Sequence, residues 1–185
     1  MSSTRLAAGL VGLSLSVVPA ANTAEQNPDA HVHGVSALNL AIDGSFVEAE
    51  LVSPGADIVG FEGRPVTEAE RTAVKRAVGI LRAGDTVLGL PEAARCIFAG
   101  AEVESGLMDA ASETRDTQDH DHAHATHAEF RAHYRLECAA PDRLTHIEFR
   151  AFQQFPSMRE VEVRAITPGG QRAADLTPQS PRLDF

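Results

Sequence analysis

Apolar and polar residues alternate along several short segments of this chain, and this period of two constrains its fold more than any other feature. Segments 36–42 and 46–52 alternate in this way on either side of the turn dipeptide Asp43-Gly44. Later segments that we predict as strands are 96–104, 130–138, 144–152, 161–165 and 171–176. Because strands with one buried face show this period, we expect a mainly antiparallel sheet that begins with a β-hairpin.

One segment has the period of a helix instead. Thr67 and Glu70 form a capping-box pattern, and apolar residues then recur at helical spacing until Gly84. The predicted apolar stripe consists of Ala69, Ala73, Ala77, Ile80 and Leu81. The sequence therefore predicts an α+β fold in which one amphipathic helix, over about 67–83, lies against the sheet.

The N-terminal segment has the pattern of a secretory signal peptide. Arg5 precedes an apolar run over residues 6–18, which is shorter than a bilayer-spanning helix requires. Cleavage after Ala20 or after Ala24 fits the small residues there. We therefore expect residues 1–24 to be removed, leaving a single exported domain over 25–185 that does not insert into a membrane.

The net charge of the chain makes some classes of binding partner unfavourable. Its 16 basic and 26 acidic residues give a net charge of −10, and loss of Arg5 with the signal peptide makes it one unit more negative. Nucleic acids and anionic membranes are therefore disfavoured partners, whereas divalent cations are attracted.

Two cysteines, Cys96 and Cys138, are present in a chain that is expected to leave the reducing cytosol. A disulfide is the favoured interpretation in an oxidising compartment. The alternative is that both thiolates are zinc ligands, which the absence of a paired C-x-x-C motif disfavours.

A histidine-rich segment at residues 119–127 carries the main functional signal. It lies within an inserted polar loop, 105–127, and holds four of the eight histidines of the chain. Three imidazoles can reach one ion in an extended or a helical conformation, with a neighbouring aspartate completing the coordination. The predicted metal ligands here are Asp119, His120, Asp121, His122, His124 and His127.

Three further histidines are weaker candidates as metal ligands. His31 and His33 lie two residues apart before the first strand, so an extended segment places both on one face. They could share a site with the loop or form a separate one. His133 lies on the polar face of its predicted strand, close to the loop along the chain. Zinc, nickel and Cu(II) all suit such imidazole-rich sites.

Several short stretches resemble the ZrgA family of zinc-regulated, histidine-rich periplasmic proteins. They are His31-Val32-His33-Gly34-Val35, Ile58-Val59-Gly60-Phe61-Glu62, Ala128-Glu129-Phe130, Phe155-Pro156, Thr167-Pro168-Gly169-Gly170-Gln171 and Leu176-Thr177-Pro178. The resemblance covers nearly the whole chain after the signal peptide. It departs at Gly63, where family members often have a histidine, and in the shorter length of the loop.

The resemblance implies a function that spacing alone does not give. It implies a periplasmic protein that binds zinc through its loop and assists the zinc importer, with that importer or a periplasmic zinc-binding protein as its partner. The alternative is a periplasmic copper- or nickel-binding or storage protein. An enzyme is not expected, because no HExxH or GxSxG motif is present.

Overall fold

The computed structural model describes residues 33–108 and 128–185. The chain divides into two units, Met1–Ala30 and His31–Phe185, and the described residues belong to the second. Helices α1 (Gly55–Ile58) and α2 (Glu68–Arg82) lie between the second and third strands in chain order. The strands are β1 (Val35–Asp43), β2 (Phe46–Pro54), β3 (Leu88–Gly89), β4 (Cys96–Ser105), β5 (Glu129–Cys138), β6 (His146–Phe149), β7 (Glu160–Thr167), β8 (Gly170–Leu176) and β9 (Arg182–Asp184).

The larger sheet orders its strands β4-β5-β2-β1-β7-β8. Neighbouring strands run antiparallel except β1 and β7, which run parallel with Val35 opposite Glu160. The predicted α+β class with a mainly antiparallel sheet is confirmed.

The predicted first hairpin is also confirmed. Strands β1 and β2 pair in register from Ala37 opposite Val52 to Asp43 opposite Phe46. Gly44 follows with φ of 57°, a conformation that glycine adopts without a Cβ penalty.

Helix α2 begins at the predicted capping box. Thr67 accepts the backbone N–H of Glu70, and the Glu70 carboxylate accepts the backbone N–H of Thr67. Its buried stripe differs from the predicted one, because Ala69 is exposed and the stripe consists of Val74, Ala77, Val78 and Leu81. Within the described residues, no helix has the length and apolar content needed to cross a membrane.

A smaller sheet, with strand order β3-β6-β9, was only partly predicted. The expected strand over 144–152 is shorter, since β6 ends at Phe149 and a 3-10 turn follows at Ala151–Gln153. The burial of Phe149 and Phe152 continues across this break, which explains why the apolar pattern resembled one strand. The two rings contact each other edge to face, with centroids 5.0 Å apart.

The core lies on one face of the larger sheet. Strand β5 alternates as predicted, with Phe130, Ala132, Tyr134, Leu136 and Cys138 buried. The Tyr134 hydroxyl donates to the Leu81 carbonyl over 2.9 Å, which ties α2 to this face. The opposite face of the sheet is polar and carries charged side chains, among them Glu50, Glu102 and Arg135.

The predicted disulfide is present between Cys96 and Cys138. The two cysteines are directly opposite each other in the pairing of β4 with β5. Ser105 and Phe130 form the last pair at the other end of this hairpin, where the inserted loop begins. The disulfide therefore secures the hairpin at the end remote from the insertion.

Candidate metal site

Most of the predicted metal ligands lie outside the described residues. Those ligands are His31, Asp119, His120, Asp121, His122, His124 and His127. His33 and His133 are described, and the structure places them in different surroundings. Among residues 33–108 and 128–185, no group of three His, Cys, Asp or Glu side chains is arranged to hold a metal ion.

His133 lies on the polar face of the larger sheet. In the strand register it stands between Glu50 on β2 and Glu102 on β4. Its Nε2 is 3.5 Å from Glu50 Oε1, and its side chain is about half exposed. These residues line a concavity of about 1050 Å³ over the sheet, together with Arg135 and Arg164.

Arginines neutralise the carboxylates beside His133. Arg131 donates to Glu50 and to Glu129, each over 2.7 Å, and Arg135 donates to Glu102 over 2.9 Å. The hydrogen bond from Arg131 holds the pKa of Glu50 below its usual range. Because a cation at His133 would compete with these guanidinium groups, the surroundings of His133 favour an ion-pair network. Its role as a metal ligand stays a prediction.

His33 has a different partner. Its Nε2 lies 3.0 Å from Glu62 Oε1, although the two residues are 29 positions apart in the chain. Both side chains remain accessible, with exposed fractions of 67% and 43%. Glu62 was not predicted as a site residue, and its only signal in the sequence is its place in the Gly60-Phe61-Glu62 stretch.

A buried carboxylate lies near this pair. Asp57, on α1, is only 3% exposed, and its Oδ1 accepts the backbone N–H of Gly34 over 2.7 Å. Its Oδ2 has no hydrogen-bond partner among the described residues. Burial raises the pKa of Asp57, and the Glu62 charge acts in the same direction, whereas the hydrogen bond from Gly34 and the charges of His33 and Arg159 oppose this rise. No motif or periodicity along the chain identified Asp57 as a candidate.

Gly34 shows how the backbone brings these groups together. With φ of 89°, it turns the chain just before β1. Its N–H faces Asp57, while its carbonyl accepts the N–H groups of Arg159 and Glu160, each over 2.9 Å. The residue that follows His33 is thus fixed to both α1 and the start of β7.

The corner of the fold around α1 (Gly55–Ile58) also contacts residues near both ends of the inserted loop. The Gly55 N–H, at the start of α1, donates to the carbonyl of Ala128. A Cβ added at Gly55 would lie 2.5 Å from that oxygen, 2.8 Å from the Phe61 carbonyl and 3.2 Å from Leu107 Cδ1. Leu107 and Ala128, described residues close in the chain to segment 109–127, therefore both lie beside α1.

The described fold is therefore that of a disulfide-bonded α+β protein with accessible histidine and carboxylate groups where an inserted histidine-rich segment joins it. The family model for ZrgA family zinc uptake proteins matches residues 30–185, and the chain belongs to this family. The resemblance drawn from the sequence motifs is confirmed, and it gives the chain a role in zinc uptake. The family is not an enzyme family. No curated protein matches this chain.

Proposed function

We propose that this chain captures zinc in the periplasm through its histidine-rich segment and passes it towards a zinc importer. The observation that carries the proposal is the family match over residues 30–185, in a chain that holds four histidines between positions 120 and 127. Zinc is the cargo of the family, and imidazole is among its preferred ligands.

The ligand chemistry supports capture by this segment. His120, His122, His124 and His127 supply neutral nitrogen donors, and Asp119 and Asp121 supply carboxylates. Three or four of these donors suffice for a tetrahedral zinc ion. The net charge of −10 adds a field that attracts divalent cations.

The position of the segment supports a role that is independent of folding. Strands β4 and β5 pair from the disulfide to Ser105 opposite Phe130, so the hairpin is complete before the insertion begins. Buried residues on both sides, including Leu107 and Phe130, secure its ends. Changes within the segment should therefore leave the core intact.

Two observations support the periplasm as the site of action. Residues 1–24 have the pattern of a signal peptide. The cysteines of the described fold form a disulfide, which persists in oxidising compartments and is rare in the bacterial cytosol.

Replacement of His120, His122, His124 and His127 by alanine tests the capture step. The measurement is a zinc titration of the mature protein in competition with a calibrated chelator. The expected result is the loss of the tightest zinc-binding step with an unchanged circular dichroism spectrum. A His146→Ala variant is the matched control, because His146 lies on β6 and contacts Thr145. Undiminished tight binding in the fourfold variant would contradict the proposal.

The transfer step needs a separate experiment. Zinc-loaded protein is mixed with the metal-free periplasmic zinc-binding protein of the importer, and metal exchange is followed over time. Transfer faster than zinc dissociation into an excess of chelator would support direct delivery. A transfer rate equal to the dissociation rate would contradict direct delivery, and the proposal would then retain only the capture of zinc.

A further inference from the structure

We propose that His33 and Glu62 bind a second zinc ion, at a site separate from the histidine-rich segment and located where that segment joins the fold. In this site His33 and Glu62 bind the ion directly, and Asp57 acts as a buried positioning residue. The inference rests on the proposed function for the choice of zinc as the cation and for the place of the site in zinc transfer.

The distance between His33 and Glu62 is close to that of two zinc ligands. Tetrahedral zinc binds nitrogen and oxygen at about 2.0–2.2 Å, which separates two ligand atoms by roughly 3.4 Å. His33 Nε2 and Glu62 Oε1 are 3.0 Å apart, so a shift of a few tenths of an ångström would admit the ion. Both side chains are accessible, which leaves the remaining coordination positions to water and allows zinc to enter and leave.

Asp57 adds a buried carboxylate near the exposed pair of His33 and Glu62. An ionised carboxylate that is 3% exposed, with Oδ2 unpartnered among the described residues, is unfavourable unless a positive charge lies nearby. Arg159 already acts on this carboxylate through its charge but does not bond Oδ2, and a bound zinc ion would add positive charge that the carboxylates of Asp57 and Glu62 would balance. Because Asp57 holds the N–H of Gly34, it also fixes the backbone next to His33.

The location gives this site a place in zinc transfer. Gly55 on α1 contacts Ala128 and Leu107, the described residues near the two ends of segment 109–127. Asp57 lies on the same short helix, and Glu62 follows it closely. A weaker, exposed site at this corner suits the temporary holding of zinc released by the histidine-rich segment.

The test uses the full mature chain in which His120, His122, His124 and His127 are replaced by alanine. In this background the remaining zinc binding is measured by titration in competition with a weak chelator, and the His33 ring signals are followed by NMR. We expect one zinc ion per chain and a shift of the His33 signals. Adding Glu62→Gln or Asp57→Asn should weaken this binding by about tenfold or more. His146→Ala in the same background is the control and should change nothing.

The Asp57→Asn variant separates a role in zinc binding from a role in folding. Asparagine keeps an acceptor for the Gly34 N–H but removes the buried charge, so the metal-free variant should melt no lower than its parent while binding zinc more weakly. Absence of zinc binding in the fourfold background, or binding that Glu62→Gln leaves unchanged, would overturn the proposal. Failure of the proposed function would appear differently, as tight zinc binding retained in the fourfold variant itself.

Discussion

Replacing Gly55 with alanine tests whether the corner between α1 and the inserted loop is as closely packed as the structure indicates. Gly55 is buried at the start of α1. The added methyl carbon would lie 2.5 Å from the Ala128 oxygen and 2.8 Å from the Phe61 oxygen. Both neighbours are backbone atoms, so no side-chain rotation relieves the overlap.

The expected cost follows from these distances. Non-bonded carbon contacts are favourable at about 3.5 Å, so the Ala128 carbonyl would have to move by roughly 1 Å. Overpacking of this kind destabilises a protein by about 1–3 kcal/mol. The same movement breaks the hydrogen bond from the Gly55 N–H to Ala128, which adds about 1 kcal/mol. We therefore expect the free energy of unfolding to fall by about 2–4 kcal/mol.

The assay is urea unfolding of the metal-free, disulfide-intact protein, followed by circular dichroism. Gly79→Ala is the matched control, because Gly79 is exposed on α2 and a Cβ there would meet nothing within 4 Å. That change should stabilise the protein by about 0.5–1 kcal/mol, since alanine favours the helix. A Gly55→Ala variant as stable as the parent would refute the packing described for this corner.

Three further predictions concern the fold. Thr67→Ala removes one half of the capping box and should lower the free energy of unfolding by about 1 kcal/mol, and an unchanged urea midpoint would count against the cap. Replacing Cys96 and Cys138 together should cost about 4 kcal/mol, measured in the same way, and a cost below about 1 kcal/mol would contradict a stabilising bridge. Because burial raises the pKa of Asp57 above 3.8, the folded chain holds this proton more tightly than the unfolded chain. The raised pKa of Asp57 therefore stabilises the folded chain below about pH 3.8, and this stabilisation is lost as pH rises through the raised pKa. An NMR titration that gives Asp57 a pKa of 3.8 or less in the folded chain would contradict the predicted rise.

Local sequence patterns predicted the strands and the helix that have a clear periodicity or a capping motif. The alternation in 36–52 and 130–138 predicted β1, β2 and β5, and the capping box predicted the start of α2. Strand β3 has only two residues and cannot show a period of two. The parallel pairing of β1 with β7 joins segments more than a hundred residues apart, and alternation carries no information about which strands become neighbours.

The residues of the candidate metal sites also divide into those that the sequence predicted and those that only the structure brings together. The histidine clusters are visible in composition alone, so His33 and the loop histidines were identified without a structure. Glu62 and Asp57 were not, because they reach His33 and Gly34 only through the turn before β1 and the short helix α1. His133 illustrates the opposite case, since its strand face was predicted but the arginines that bind its neighbouring carboxylates were not.

The pH dependence of zinc affinity tests the central claim most directly. Imidazole in model peptides has a pKa near 6.5, so a histidine ligand is mostly neutral at about pH 7.5 and mostly protonated at about pH 5.5. At about pH 5.5 a site of three histidines must therefore release nearly three protons on binding, and its affinity should be lower by roughly two to three orders of magnitude than at about pH 7.5. Carboxylates stay ionised over the same range, so zinc held by the acidic surface would respond little. A fall of less than about fivefold in the intact protein would contradict capture by His120, His122, His124 and His127.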